Sequence, residues 1–154
     1  MSSDSRVELL GQFFEAVRQE QEITQAFDEA AARHLGIHLT DLRVLDILDR
    51  MGPVPASTVA RAAHLTTGST TTLLDRLERA GYATRRRDDK DRRRVFVELT
   101  DHARQRTEPI WGPLAEEAVS LLDHYSEDEL KLILGYLRRS QAFLRAHRER
   151  VEKL

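Results

Sequence analysis

The 154-residue chain is 40% hydrophobic and 32% charged with a net charge of −2, the profile of one soluble folded domain and not of a disordered segment. It has no cysteine, which excludes disulfides, thiolate metal sites and thiol redox sensing. No apolar run approaches the ~20 residues that span a bilayer, and the start MSSDSRVELL lacks the basic and apolar regions of a secretory leader, so a cytoplasmic protein with no membrane partner is expected.

Leu9, Leu10, Phe13, Phe14, Val17, Ile23, Ala26, Phe27 and Ala30 recur mostly at three- and four-residue steps, which predicts one long helix over about residues 7–34, stopped near Gly36. Thr40 is the expected cap of a second helix, with Asp41 in its first turn, an inner face of Leu42, Val44, Leu45, Ile47 and Leu48, and an end at Gly52-Pro53. Pro55 opens a short third helix carrying Val59, Ala60 and Ala63. Thr66 caps a fourth that runs to Ala80, where Gly81 supplies the left-handed stop. Two strands follow, at 82–87 and 94–99, around a charged tip at 88–93; Val95, Val97 and Leu99 alternate with Phe96 and Glu98. Thr100 caps another helix, expected to be interrupted at Pro109 and at Gly112-Pro113. Ser126 and Glu129 form a capping box for a last helix through about Arg148.

Two short helices joined by a tight turn and followed by a basic hairpin make a winged helix-turn-helix. The expected fold class is therefore mainly α with a small β-hairpin wing. Residues 57–94 hold ten basic against five acidic side chains, so the rest of the chain is left with fourteen against twenty-one. A basic reading head on an acidic body suits a nucleic-acid partner. On the fourth helix Thr70, Leu73, Leu74 and Leu77 share the inner face, whereas Ser69, Thr72, Arg76 and Arg79 fall on another side, with Thr66 and Thr67 at its start. Hydroxyls so dense are poor helix sequence, but at a helix N-terminus they suit phosphates and base edges. At the hairpin tip, Asp91-Arg92-Arg93-Arg94 places guanidinium groups on a turn beside a carboxylate that can orient one of them, and arginine is favoured in a narrow minor groove.

Residues 39–100 resemble the core of the MarR family of transcriptional regulators. The wing signature of that family is matched by Asp91, Arg93, Leu99 and Thr100, and the end of its recognition helix by Leu77, Glu78 and Gly81. The resemblance extends over nearly the whole chain and implies one domain, 1–154, with a DNA-binding part at about 37–100 and dimerisation helices at about 5–35 and 101–150. It implies a homodimer on a pseudo-palindromic operator in double-stranded DNA, acting as a repressor. Ser69 and Thr72 would face bases, Arg93 would enter the minor groove held by Asp91, and Arg76 and the wing would add discrimination. Arg86, Arg87 and Arg92 would contact the DNA beside them. Apolar residues near both ends, among them Leu9, Phe13, Leu130, Leu137 and Leu144, independently offer more surface than a small monomer needs.

The same resemblance suggests a small aromatic or phenolic effector, with Phe27, His34, His38, Arg43 and Trp111 as the residues to line its pocket. A packed core holding Phe27 and Trp111 explains the aromatic pair equally well. His34 and His38 stand four apart, but Gly36 lies between them and no further ligand is near, so neither a metal site nor a cofactor is expected. The rival readings are an enzyme, for which no phosphate loop, dinucleotide fingerprint or nucleophile motif is present, and a winged-helix module that binds protein or RNA.

Overall fold

The computed structural model of the chain describes residues 3–87 and 95–154, and its elements follow the apolar periodicities of the sequence. In chain order they are α1 (Ser3–Leu35), α2 (Leu39–Met51), β1 (Val54–Pro55), α3 (Ala56–Ala63), α4 (Thr67–Arg79), β2 (Ala83–Arg87), β3 (Val95–Leu99), α5 (Asp101–Leu122) and α6 (Glu127–Val151). They fall into two compact units, Met1–Ile110 and Trp111–Leu154.

The first unit is built around Val44 and Leu48 of α2, Val59 of α3, Leu74 and Leu77 of α4 and Val97 of β3, all sealed from solvent. Each such side chain contributes roughly 1.5–3 kcal/mol by leaving water. The inner faces expected for α2 and α4 are the buried ones, including Thr70, whose hydroxyl donates to the Thr66 carbonyl at 2.9 Å. The sheet is antiparallel with strand order β1-β3-β2. In it Ala83 pairs with Leu99, Arg85 with Val97 and Arg87 with Val95.

Three local expectations are corrected. The hairpin gains a third strand, since Val54 and Pro55 pair with Val97 and Phe96. Proline is tolerated there because β1 lies at an edge, where a missing N–H breaks no ladder. The cap of α2 is His38, not Thr40; its N–H donates to the Asp41 carboxylate at 3.1 Å. Finally α5 runs without interruption through Pro109, Gly112 and Pro113, because a proline removes one backbone bond without ending the helix when the turns around it hold.

The end of α4 and the starts of α5 and α6 follow the capping chemistry read from the sequence. Gly81 has φ +78°, the left-handed conformation that only glycine adopts cheaply. The N–H groups of Gly81 and Tyr82 close the end of α4 on the Glu78 and Leu77 carbonyls, each at 2.9 Å. Thr100 caps α5 through the Ala103 N–H at 3.0 Å. In the second unit Glu129 accepts from the Ser126 N–H at 2.8 Å and hydroxyl at 2.7 Å. Those bonds hold the Glu129 carboxyl below its usual range.

Candidate nucleic-acid interface

The turn between α3 and α4 is made by His64, a non-glycine residue at φ 55°, ψ 44°. Its left-handed conformation costs on the order of 1 kcal/mol and lets the Leu65 N–H return to the Ala60 carbonyl at 2.9 Å. The next helix therefore starts two residues later, with Thr66 as its cap: the Thr66 hydroxyl oxygen accepts from the Ser69 N–H at 3.2 Å and its proton goes to Ser69 Oγ at 2.9 Å.

The hydroxyl run that is poor helix sequence is stabilised from within. Thr71 donates to the Thr67 carbonyl at 3.0 Å and Thr72 to that of Gly68 at 3.2 Å. Thr71 and Thr72 are exposed, and each hydroxyl oxygen keeps acceptor capacity beyond the proton it donates back along the helix. Thr66, Thr67, Ser69 and Thr72 are all exposed, on the side of the helix away from Leu73, Leu74 and Leu77.

Two arginines grip the flanks of this crest. On the side toward α2, Arg76 donates from Nε to Asp41 Oδ2 at 2.8 Å and from Nη2 to Oδ1 at 2.5 Å. The hydrogen bond to Asp41 raises the Arg76 pKa further above its ordinary value. Asp41 is 0% exposed and Arg76 35%, so the guanidinium is held by one edge while part of it meets solvent. On the side toward the sheet, Arg85 of β2 reaches Asp75, Glu78 and the Thr71 carbonyl. Arg79 is exposed at the end of the crest, with Nε 3.2 Å from the Asp75 carbonyl.

The basic hairpin leaves its base exposed at Arg86, which lies 3.9 Å from Glu98, and at Arg87. Asp91, Arg92 and Arg93, the expected minor-groove group, lie outside the described residues. His34 and His38 flank the turn after α1, where the His34 carbonyl accepts from Arg106 Nη2 at 3.3 Å. Both imidazoles are exposed, as is Arg43 on α2, and Phe27 of α1 is half-buried. Trp111, also half-buried, belongs to the second unit. Among the described residues no group of three or more His, Asp or Glu side chains is placed to hold a metal ion.

Sequence reasoning missed the parts that hold the interface. Asp41 was readable only as a carboxylate near a helix start. Tyr82 was readable only as strand, yet its hydroxyl donates to the Leu35 carbonyl at 2.8 Å, tying the end of α1 to the segment between recognition helix and wing. A usable signal existed for Asp41: it stands on the same stripe as Leu45 and Leu48, where a charge demands a partner.

The MarR family model matches residues 37–95. The uncharacterized HTH-type transcriptional regulator YcgE of Bacillus subtilis is 37% identical over 130 residues, 84% of each chain. Two solved structures are similar in fold. NadR in complex with 4-hydroxyphenylacetate has a TM-score of 0.62 at 23% identity, covering 80% of this chain and 88% of its own. A Staphylococcus aureus MepR mutant bound to an oligodeoxyribonucleotide has a TM-score of 0.58 at 23% identity, covering 88% of this chain and 97% of its own.

Proposed function

The chain belongs to the MarR family and is a transcriptional regulator of that type, and on that footing we propose that it represses transcription as a homodimer bound to a pseudo-palindromic operator. The observation that carries this reading is the exposed hydroxyl crest of α4, with Ser69 and Thr72 presented from a helix gripped on both flanks. Such a crest fits a major groove, where hydroxyl oxygens accept from base amino groups. The fold shared with the DNA-bound MepR mutant supports the same placement. Arg86, Arg87 and Arg92 then neutralise phosphates, and Arg93, oriented by Asp91, enters the minor groove. Thr66 and Thr67 meet the backbone at the helix start, and Arg76 reads beside them from its Asp41 support.

The homodimer reading is supported by apolar side chains left in solvent on α1, among them Leu9, Phe14 and Ile23, and on α6, among them Leu132, Phe143 and Leu144. Dimerisation would cover them. A small aromatic or phenolic effector, of the class NadR binds, would relieve repression through Phe27, His34, His38, Arg43 and Trp111. The protein would act in the cytoplasm, where its operator lies, by binding and without catalysis. Among the described residues no helix is long and apolar enough to cross a membrane.

The test is selection of genomic fragments by the purified protein, followed by sequencing. An inverted repeat with half-sites about one helical turn apart is the expected result. Retention of RNA or of a protein with no DNA enriched would overturn the reading.

A further inference from the structure

We propose that Arg85 is a positioning residue that fixes the angle between the recognition helix and the wing, and is not itself a DNA contact. This inference rests on the DNA-binding reading above. By sequence Arg85 is one more cation in the run Arg85-Arg86-Arg87, indistinguishable from its neighbours as a phosphate partner. The structure separates it from them. Side chains alternate along β2, so Arg85 leaves the strand on the face opposite Arg86, and its side chain is only 25% exposed.

Its partners lie on one flank of α4. Nη1 donates to Asp75 Oδ1 at 2.6 Å and to Glu78 Oε2, and Nη2 reaches the Thr71 carbonyl at 3.3 Å. The Arg85 N–H donates to the other Glu78 oxygen, Oε1, at 2.9 Å. Thr71, Asp75 and Glu78 stand at i, i+4 and i+7, one stripe along two turns of the helix. A single strand residue thus holds the recognition helix at three successive points and through both its backbone and its side chain. Only the planar fork of arginine can do this; a lysine in its place supplies the same charge at one point.

Two consequences follow for reading DNA. Arg85 lies in β2, the first strand of the hairpin, so its grip sets how the base of the hairpin, with Arg86 and Arg87, stands relative to the crest of Thr72. Arg85 also offsets part of the charge of the Asp75 and Glu78 carboxylates, which would otherwise repel phosphates beside the crest.

The experiment measures binding isotherms of the full-length protein on its selected operator and on a scrambled duplex, at several salt concentrations. Arg85→Lys keeps the charge and loses the fork. It is expected to lower operator affinity on the order of tenfold, with affinity for scrambled DNA and the salt slope unchanged. Arg87→Ala, the comparison, is expected to weaken both duplexes alike and to flatten the log–log slope by about 0.9 for each lost contact, about 1.8 for the dimer. Arg85→Lys binding the operator like wild type would overturn the proposal. So would an Arg85→Ala variant that loses affinity equally on both duplexes with a flatter slope, since that is the signature of a phosphate contact. Should Arg85→Lys lose its thermal transition, Glu78→Gln keeps the side-chain shape and carries the same test: lower operator affinity at an unchanged slope supports the grip, and wild-type discrimination overturns it. Failure of the wild type to bind any duplex would instead remove the DNA-binding reading, and the inference with it.

Discussion

Arg76 meets Asp41 with both Nε and Nη2, across 35 residues of sequence, and the two ends of the pair differ completely in their access to water. Asp41 is sealed and also accepts from the His38 N–H, while Arg76 keeps a solvent edge. Removing the arginine leaves a buried carboxylate without its counter-charge. Removing the carboxylate leaves an arginine that water can reach. Arg76→Met is therefore expected to lower unfolding stability by about 3 kcal/mol and Asp41→Asn, which keeps one acceptor oxygen and sets an amide NH2 against a donor at the other position, by about 2 kcal/mol. Urea unfolding at one fixed protein concentration checks the order; equal losses would contradict it.

Tyr82 provides the second strut. Its buried hydroxyl bonds the Leu35 carbonyl and its ring stands 5.6 Å from that of His102. Tyr82→Phe keeps the ring contact and orphans the carbonyl, at an expected cost of about 1 kcal/mol. An unchanged unfolding midpoint would show that the bond contributes nothing.

Asp28 gives a pH-dependent expectation. Burial, together with the neighbouring Asp46 carboxylate, raises its pKa above the ordinary value. The folded state then holds this proton more tightly than the unfolded chain. Its contribution to stability is present below the unfolded pKa and is lost as pH rises through the higher folded one. Asp28→Asn, uncharged throughout, should raise Tm by on the order of a degree at neutral pH. The gain should vanish near pH 3, below the ordinary carboxylate range of about 4. A gain that persists there would show that repulsion and burial of charge are not its cause.

The exposed apolar faces predict assembly. Phe14 is 60% exposed and Leu144 55%, so a charge at either costs the protomer little. Wild type is expected near twice 17.7 kDa at micromolar concentration, and Phe14→Glu with Leu144→Glu is expected to give folded monomers. Light scattering distinguishes the two, and a wild-type monomer would remove the dimer.

The fold was legible wherever local chemistry writes it. Thr66, Gly81, Thr100 and the Ser126–Glu129 pair each announce a helix end through a cap that depends on residues within one turn. The exposed side of α4 was legible for the same reason, from the spacing of Leu73, Leu74 and Leu77 against Ser69 and Thr72. What stayed hidden depends on chain folding back on itself. A strand of two residues containing Pro55 carries no periodicity, and its partner Val97 is remote in sequence. Arg76 and Arg85 look like free cations until Asp41, Asp75 and Glu78 are placed beside them. The prolines of α5 mislead because their missing N–H groups weaken a helix without fixing where it must stop.

The central claim, that the crest of α4 reads sequence, is tested most directly by Thr72→Val. Valine keeps the branched shape and deletes the hydroxyl together with its bond to the Gly68 carbonyl, so an unchanged thermal transition is the control that the helix is kept. Isotherms on the operator and on scrambled DNA, at several salt concentrations, separate base reading from charge attraction. For a dimer neutralising on the order of eight phosphates, the log–log salt slope is expected near about −7 for wild type and variant alike. Thr72→Val is expected to lose about 1 kcal/mol on the operator and nothing on scrambled DNA. Equal losses on both duplexes, or wild-type affinity for both, would contradict the claim that this helix reads bases.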